Sequence, residues 1–190
     1  MVNFNYDIKK SIEVLEKGGL ILYPTDTIWG IGCDATNLKA VEKIFALKKR
    51  PDKKSMIILV AEESAIFNYV FEPHKNIFQF LFSAQKPVTV IYGQAKNLAK
   101  NLINSDGTIA IRIVKDDFCK TLIHQFKKPI VSTSANVSGE PYAANFSTIT
   151  TPIKNGVDYI VQHRQNEIMS SQPSSIIKLN EEGNIEIIRS

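Results

Sequence analysis

Three segments of the sequence place small polar and charged side chains where they could bind a ligand. In the first, residues 23–30 (YPTDTIWG), two threonines and one aspartate follow a predicted strand and a proline. Asp and Thr can hydrogen-bond their own backbone, so these residues are compatible with an ordinary turn. They are equally compatible with a loop that presents its hydroxyl groups to a small polar ligand, beside an aromatic wall at Trp29.

The second segment, residues 48–54, is a run in which five of seven residues are Lys or Arg. Cations at the C-terminal end of a helix interact favourably with the helix dipole, and a charged run is commonly a solvated surface. Arg also offers a planar fork to phosphate oxygens, whereas Lys offers a point charge. The run therefore fits a phosphate-binding patch as well. Its cations are Lys48, Lys49, Arg50, Lys53 and Lys54.

The third segment, residues 129–139 (PIVSTSANVSG), begins as a predicted strand. Side chains alternate between the two faces of a strand, so Ser132, Ser134 and Asn136 share one face. Such a row of small polar side chains forms a poor core. It predicts either a ligand-binding wall or a sheet face that opens to water.

A fourth segment, residues 108–114 (TIAIRIV), repeats this alternation with Arg112 on the face opposite three isoleucines. A buried guanidinium in the middle of a strand is costly unless it is paired. We therefore expect a bound anion as the partner of Arg112.

Several common catalytic signatures are missing from the sequence. It contains no Walker loop, and the Gly-Ile-Gly at 30–32 lacks the third glycine of a dinucleotide fingerprint. The three histidines are scattered, which argues against a zinc site or a Ser-His-Asp hydrolase. Two isolated cysteines, no signal peptide and no apolar run of about 18 residues favour a cytoplasmic protein without a membrane span.

The remaining elements predict a layered fold. The 190 residues are 44% hydrophobic and 22% charged with a net charge of +4, which is typical of one globular domain spanning 1–190 and only weakly suggests anionic partners. Helices capped by Asn5 or Asp7, by Asn37, and by Asp116 or Asp117 alternate with predicted strands. A hairpin is predicted over 174–189. We therefore expect an α/β-type (α+β) domain with a mixed sheet.

The chain resembles the YrdC-like family of threonylcarbamoyl-AMP synthases. The resemblance lies in PTDTIWGIG, KKRP, PVTVIY, TIAIRI, STSANVSG and PSSII, in the family's order over nearly the whole chain. Its most specific features are the Lys-x-Arg and Ser-x-Asn motifs, at Lys48/Arg50 and Ser134/Asn136. The resemblance implies a YrdC-like mixed, twisted sheet flanked by helices with a concave basic groove, in the single-domain form.

The activity implied by the resemblance is the synthesis of threonylcarbamoyl-AMP and pyrophosphate from L-threonine, bicarbonate or CO2, and ATP, with Mg²⁺. A downstream threonylcarbamoyl-transfer complex would then modify tRNA, and the basic groove could contact tRNA. The implied catalytic residues are Lys48, Arg50, Ser134 and Asn136. The implied ATP-binding residues are Arg50, Lys54, Thr108, Ser134, Tyr142 and Arg189. The implied threonine-binding residues are Thr27, Arg112, Ser132 and Ser175.

Some positions depart from the family's pattern. Residues 84–87 (AQKP) replace an aromatic-Pro-Gly-Pro, Leu59 stands where a His is common, and Trp29 stands where a Tyr is common. These changes could alter the pocket's shape, but they remove no motif charge. A non-catalytic RNA-binding module and a carbamoyl-adenylating domain of the hydrogenase-maturation type remain as alternatives. The sequence lacks the interleaved basic and aromatic residues that would favour the first.

Overall fold

The computed structural model describes residues 4–49, 56–168, 172–179 and 184–190. These residues form six α-helices, nine β-strands and two short 3-10 turns. The helices are α1 (Asn5–Glu16), α2 (Leu38–Leu47), α3 (Ile66–Tyr69), α4 (Asn76–Ser83), α5 (Asp117–Phe126) and α6 (Thr151–Asn155). The strands are β1 (Ile21–Tyr23), β2 (Gly30–Gly32), β3 (Ile57–Val60), β4 (Val88–Tyr92), β5 (Ile109–Ile113), β6 (Ile130–Ser134), β7 (Tyr159–Ile160), β8 (Ser175–Leu179) and β9 (Ile185–Arg189).

The described strands form one mixed sheet, in the order β7-β1-β2-β6-β3-β5-β4-β8-β9. Pairing is parallel between β1 and β7, β3 and β5, and β4 and β8, and antiparallel at the other five junctions. The predicted mixed sheet flanked by helices is therefore confirmed. The C-terminal hairpin is confirmed as the antiparallel pair β8 and β9, although its predicted turn at 182–184 lies partly outside the described residues.

Helix starts follow the predicted caps at two of three places. Asn37 accepts a hydrogen bond from the Ala40 N–H, and Asp116 accepts one from the Cys119 N–H. The prediction for α1 was wrong, because this helix has no side-chain cap. Asp7 instead accepts hydrogen bonds from the Tyr159 hydroxyl at 2.6 Å and from the N–H groups of residues 162 and 163 at 3.0 and 2.9 Å. Its carboxylate is thus occupied by β7 and by residues 162 and 163 just beyond it, which joins α1 to the sheet edge.

The two faces of the sheet are covered differently. Helices α2, α3, α4 and α6 contribute side chains to a core cluster on one face, with Val131 and Ile111 from the strands. Helices α1 and α5 pack on the other face over Ile130 and Leu59. Because residues two apart on a strand share a face, Ser132 lies on this second face, beyond the area that α1 and α5 cover. The candidate site lies there.

The Gly-Ile-Gly segment of β2 has a packing role. A Cβ atom at Gly32 would lie 2.6 Å from Cε1 of Tyr23 and 2.9 Å from the Val131 carbonyl oxygen. Tyr23 is fully buried and its hydroxyl donates to that same carbonyl at 3.2 Å. Glycine at position 32 therefore makes room for the tyrosine ring, which explains this glycine without a nucleotide.

Candidate functional site

A cavity of about 520 Å³ opens on the second face of the sheet. It brings together side chains from distant parts of the chain, and its volume lies within the range of about 300–1,000 Å³ that is usual for small-molecule sites. Seven of the predicted site residues line it. They are Thr27, Arg112, Ser132, Ser134, Asn136, Tyr142 and Arg189.

The floor of the cavity is set by the register of the sheet. Arg112 of β5 lies between Leu59 of β3 and Thr89 of β4. Two residues earlier on β5, Ala110 lies between Ile57 and Ile91 in the same way. These cross-strand rows give the floor an apolar part beside one guanidinium. The leucine at 59, which departs from the family's pattern, is fully buried beside that guanidinium.

Arg112 already has a partner within the protein. Its Nη2 lies 3.1 Å from Oδ1 of Asp26, and both side chains are buried. The loop after β1 thus brings a partner within the protein that the sequence did not indicate, and a bound anion as a second partner stays a prediction. Nη2 and Oδ1 form an ion pair but are not aligned as a hydrogen bond, so Asp26 Oδ1, like Arg112 Nε, has no hydrogen-bond partner among the described residues. An anion that reaches Nε would satisfy a buried donor.

The loop 23–30 is both a turn and a wall of the cavity. The Thr25 hydroxyl donates to the Ile28 carbonyl at 2.8 Å and lies 2.9 Å from the Thr27 hydroxyl. Since Thr25 has one proton, which Ile28 takes, Thr27 donates in this pair. The cavity-lining oxygen of Thr27 then has acceptor capacity left for a ligand.

Lys48 is placed differently from the expectation for an exposed basic run. Its side chain is buried, at 1% exposure. The ammonium donates to the carbonyl of Ser134, to the carbonyl of Asn136 at 2.6 Å and to Oδ1 of Asn136 at 3.3 Å. The two sequence motifs therefore meet inside the protein, at the wall of the cavity.

Ser175 does not line the cavity, whereas the preceding residue, Ser174, does. The reason is the register of β8. Ser175 pairs with Val88, which packs against the core on the first face, so its side chain turns away from the site. The Ser174 hydroxyl lies 2.8 Å from the hydroxyl of Thr89 on the cavity side. Because serine occurs at both 174 and 175, the sequence alone does not show which of the two faces the cavity.

Arg189 reaches the cavity through an irregularity in β9. Ile176 pairs with Arg189 and Ile177 with Ile187, so Ile188 has no partner in β8 and forms a bulge. Nε and Nη2 of Arg189 donate to the Ser174 carbonyl at 3.3 and 2.7 Å. Partial burial lowers the pKa of Arg189, and the positive charge of Arg112 lowers it further. An anion held near both guanidinium groups would relieve this repulsion.

Two further predicted residues lie at the margins. Thr108 is buried but does not line the cavity: its hydroxyl donates to Asp106 at 2.7 Å and accepts from the amide of Asn104 at 2.9 Å. Asn104 is the residue of this turn that lines the cavity. Tyr142 is 40% exposed, and its hydroxyl lies 3.3 Å from Oε1 of Gln172. An exposed ring at the mouth of a cavity can stack on a planar ligand.

Arg50, Lys53 and Lys54 lie outside the described residues, so their predicted roles stay predictions. Within the described ranges, no group of three or more His, Cys, Asp or Glu side chains is placed to hold a metal ion. In those same ranges, no helix is long and apolar enough to cross a membrane. Cys33 and Cys119 are both buried free thiols.

Comparison with known proteins identifies the family. The family model described as "Telomere recombination", for the Sua5/YciO/YrdC domain, matches residues 13–190. A protein named threonylcarbamoyl-AMP synthase from Pseudoalteromonas translucida is 33% identical over 172 residues, which cover 89% of this chain and 91% of that protein. A protein of the same name from Photobacterium profundum is 36% identical over 138 residues, covering 71% of this chain and 75% of that protein.

The fold is also similar to a solved structure. The crystal structure of P. abyssi Sua5 complexed with L-threonine aligns with a TM-score of 0.87 at 21% identity. The alignment covers 100% of this chain and 55% of that one, so this chain spans about half the length of that Sua5. The match over residues 13–190, together with the identity to full-length relatives, shows that the chain belongs to the Sua5/YciO/YrdC family.

Proposed function

We propose that this protein is a threonylcarbamoyl-AMP synthase, a nucleotidyltransferase that forms threonylcarbamoyl-AMP and pyrophosphate from L-threonine, bicarbonate or CO2, and ATP. Its similarity to two proteins of that name supports the proposal. The observation that carries it is the cavity, in which two guanidinium groups and three hydroxyl-bearing side chains converge on one space. Those residues are Arg112, Arg189, Thr27, Ser132 and Ser134.

Threonine would bind over the floor of the cavity. Its carboxylate would accept hydrogen bonds from Arg112, whose Nε is a buried donor without a partner among the described residues. The oxygen of Thr27 would accept a hydrogen bond from the substrate, and Ser132 would contribute a further hydroxyl. Ser174, which lines the cavity, would act there in place of Ser175.

ATP would bind along the loop 134–140 and the cavity mouth. Ser134 and Arg189 would contact the nucleotide, with Tyr142 beside the base, while Thr108 would act through Asn104. Arg50 and Lys54 would meet the phosphates from the segment after α2. Mg²⁺ would enter with ATP as its phosphate complex, since this ion keeps several waters and needs few protein ligands.

The chemistry needs positioning more than covalent help from the protein. The threonine amine adds CO2 and loses a proton, which gives a carbamate. A carbamate oxygen then attacks the α-phosphorus of ATP as the bond to the β-phosphate oxygen breaks, releasing pyrophosphate. Holding two anionic reactants in line and offsetting their charge accounts for most of such catalysis. No histidine lines the cavity, and this scheme requires none.

The product is a reactive mixed anhydride of a carbamic and a phosphoric acid, so a second enzyme must consume it quickly. We propose that a cytoplasmic transfer complex passes the threonylcarbamoyl group to tRNA, and that residues 1–190 act as a single domain. Direct contact of tRNA with the groove is part of the same hypothesis.

The test is the release of pyrophosphate by the purified chain. We expect release from Mg-ATP only when threonine and bicarbonate are both present. Release of phosphate and ADP regardless of threonine would contradict the proposal. Tight tRNA binding without pyrophosphate release would favour a non-catalytic RNA-binding module instead.

A further inference from the structure

The Lys-x-Arg and Ser-x-Asn motifs contain four polar side chains, and two of these, Lys48 and Asn136, are hydrogen-bonded to each other. Lys48 points into the protein and its ammonium contacts three oxygens of Ser134 and Asn136. These oxygens are acceptors within the protein for an ammonium that carries three protons. The residue is 1% exposed and is not among those that line the cavity, so its charge is directed into the protein.

Asn136 is equally occupied. Its Oδ1 faces the Lys48 ammonium at 3.3 Å, and its Nδ2 donates to the Glu140 carbonyl at 2.6 Å. The amide group therefore spans the loop from Lys48 to Glu140. Its functional group is directed at the protein, although the residue itself lines the cavity.

The backbone of Lys48 holds the same loop from a second point. Its carbonyl accepts a hydrogen bond from the Ser138 N–H at 2.9 Å. Lys48 directly follows the last residue of α2, and its own N–H donates to the Ile44 carbonyl within that helix. The loop 134–140 is therefore fixed to the end of α2 through one residue.

Holding a buried charge in this way needs several good acceptors. A desolvated ammonium is costly unless its protons are all hydrogen-bonded. Two backbone carbonyls and one amide oxygen provide that. The Ser134 side chain, on the same face of the strand as Ser132, lines the cavity wall beside these contacts.

We propose that Lys48 and Asn136 are positioning residues that hold the loop 134–140, and that they contact neither ATP nor its phosphates. This inference rests on the synthase function proposed above, and it assigns different roles to the four residues of the two motifs. Ser134 and the Arg50 side chain are left to meet the nucleotide, while Lys48 and Asn136 fix the geometry of the wall. A misplacement of about 1 Å at such a wall lowers the rate on the order of 10²-fold.

The first experiment is a double-mutant cycle on kcat/KM for ATP. Lys48→Met removes the ammonium and keeps an unbranched chain, and Asn136→Ala removes the amide. Lys39→Met, an exposed lysine on the same helix, is the control for lost charge. We expect each site variant to lose on the order of 10²-fold, the double variant to lose no more than the worse single one, and the control to match the wild type. Multiplied losses in the double variant would overturn the proposal.

The second experiment uses Asn136→Asp. If Asn136 faces Lys48, the new carboxylate pairs with the ammonium, and Asn136→Asp is more active than Asn136→Ala. If Asn136 faces phosphate, the added negative charge repels it, and Asn136→Asp is the less active of the two. The reversed order would overturn the proposal.

Hydrogen exchange separates this inference from the proposed function. Without any substrate, Lys48→Met should exchange the backbone amides of residues 134–140 about tenfold faster or more, with the core strands unchanged. If the wild type released no pyrophosphate, the synthase proposal would fail while this measurement still decided the role of Lys48. Unchanged exchange of the loop amides in Lys48→Met would overturn the positioning role of Lys48. A variant that has a lower unfolding midpoint but full kcat/KM per folded molecule would also overturn it. If Lys48→Met failed to fold, the Asn136 pair would supply the same test.

Discussion

Asp26 Oδ1 lies 3.1 Å from Arg112 Nη2 at the floor of the cavity, and the two side chains are 7% and 4% exposed. The other carboxylate oxygen of Asp26 accepts from the Lys115 backbone N–H at 3.2 Å. Asp26 therefore fixes the guanidinium from one side and offsets part of its charge. A substrate carboxylate that binds to Arg112 must therefore share the guanidinium with Asp26.

This pair changes how the role of Arg112 is tested. Replacing Arg112 alone leaves a buried carboxylate without its counter-ion, which costs about 3–5 kcal/mol. We expect Arg112→Met to be destabilised by that amount, and Arg112→Met/Asp26→Asn to recover most of it. Both variants should lose threonine binding and keep ATP binding. Urea unfolding and calorimetric titration with each substrate measure these effects.

Each half of this prediction can fail separately. A double variant as unstable as the single one would show that the unpaired carboxylate of Asp26 is not what destabilises Arg112→Met. Full threonine affinity in the double variant would show that Arg112 serves only as the partner of Asp26.

The adjacent serines before and within β8 provide a matched pair. Ser174 lines the cavity and contacts Thr89, whereas Ser175 faces the other side of the sheet. Loss of one hydrogen bond costs about 0.5–1.5 kcal/mol, so Ser174→Ala should weaken threonine binding by up to about tenfold. Ser175→Ala should leave threonine affinity unchanged. Titration calorimetry on the two variants shows which serine contacts threonine. Weaker threonine binding in Ser175→Ala, with unchanged binding in Ser174→Ala, would restore the assignment made from the sequence.

Asp116 makes stability depend on pH. Burial raises the pKa of this carboxyl above its ordinary value of 3.8, and the charge of Asp26 raises it further. A folded-state pKa above the unfolded one means that stability falls as pH rises through this range. Asn also caps helices well, so Asp116→Asn should keep the bond from the Cys119 N–H and remove the buried charge.

The expected result is a variant more stable than the wild type at neutral pH, with a gain that disappears below the ordinary carboxyl pKa. Unfolding midpoints across acid and neutral pH measure it. A gain that is constant with pH would show that the charge of Asp116 is not the cause.

The sheet was predictable because buried strands have strong local signals. The apolar runs that became β3 and β5 and the Asn37 cap need only short-range information, and each was confirmed. Face alternation also placed Ser132 and Arg112 on the side where the cavity opens. These parts of the fold depend on the alternation of side chains within a single strand, which can be read from that strand's own sequence.

The remaining parts depend on contacts across the chain. Asp7 could not be assigned to Tyr159, nor Asp26 to Arg112, because each pair is far apart in sequence. The burial of Lys48 was hidden for the same reason, since its acceptors are mostly backbone carbonyls of a distant loop. Charge counting identifies a basic run, whereas the packed structure shows that Lys48 in this run is buried.

Discrimination among amino acids follows from the polar groups around Thr27 and should be the sharpest test of the threonine site. The Thr27 hydroxyl donates to Thr25 and retains an acceptor, so a substrate hydroxyl can donate to it. Serine keeps that hydroxyl and loses one methyl group, which limits discrimination to about 10–200-fold in kcat/KM. Valine keeps threonine's methyl group but carries a second methyl in place of the hydroxyl, which leaves a buried acceptor unpaired, so it should be rejected more strongly than serine. Pyrophosphate release with threonine, serine and valine at equal bicarbonate measures the order.

In Thr27→Val, which lacks the hydroxyl, the preference for threonine over valine should shrink while serine stays poor. If valine were used better than serine by the wild type, the pocket would select by shape alone, and Thr27 would not read the substrate hydroxyl.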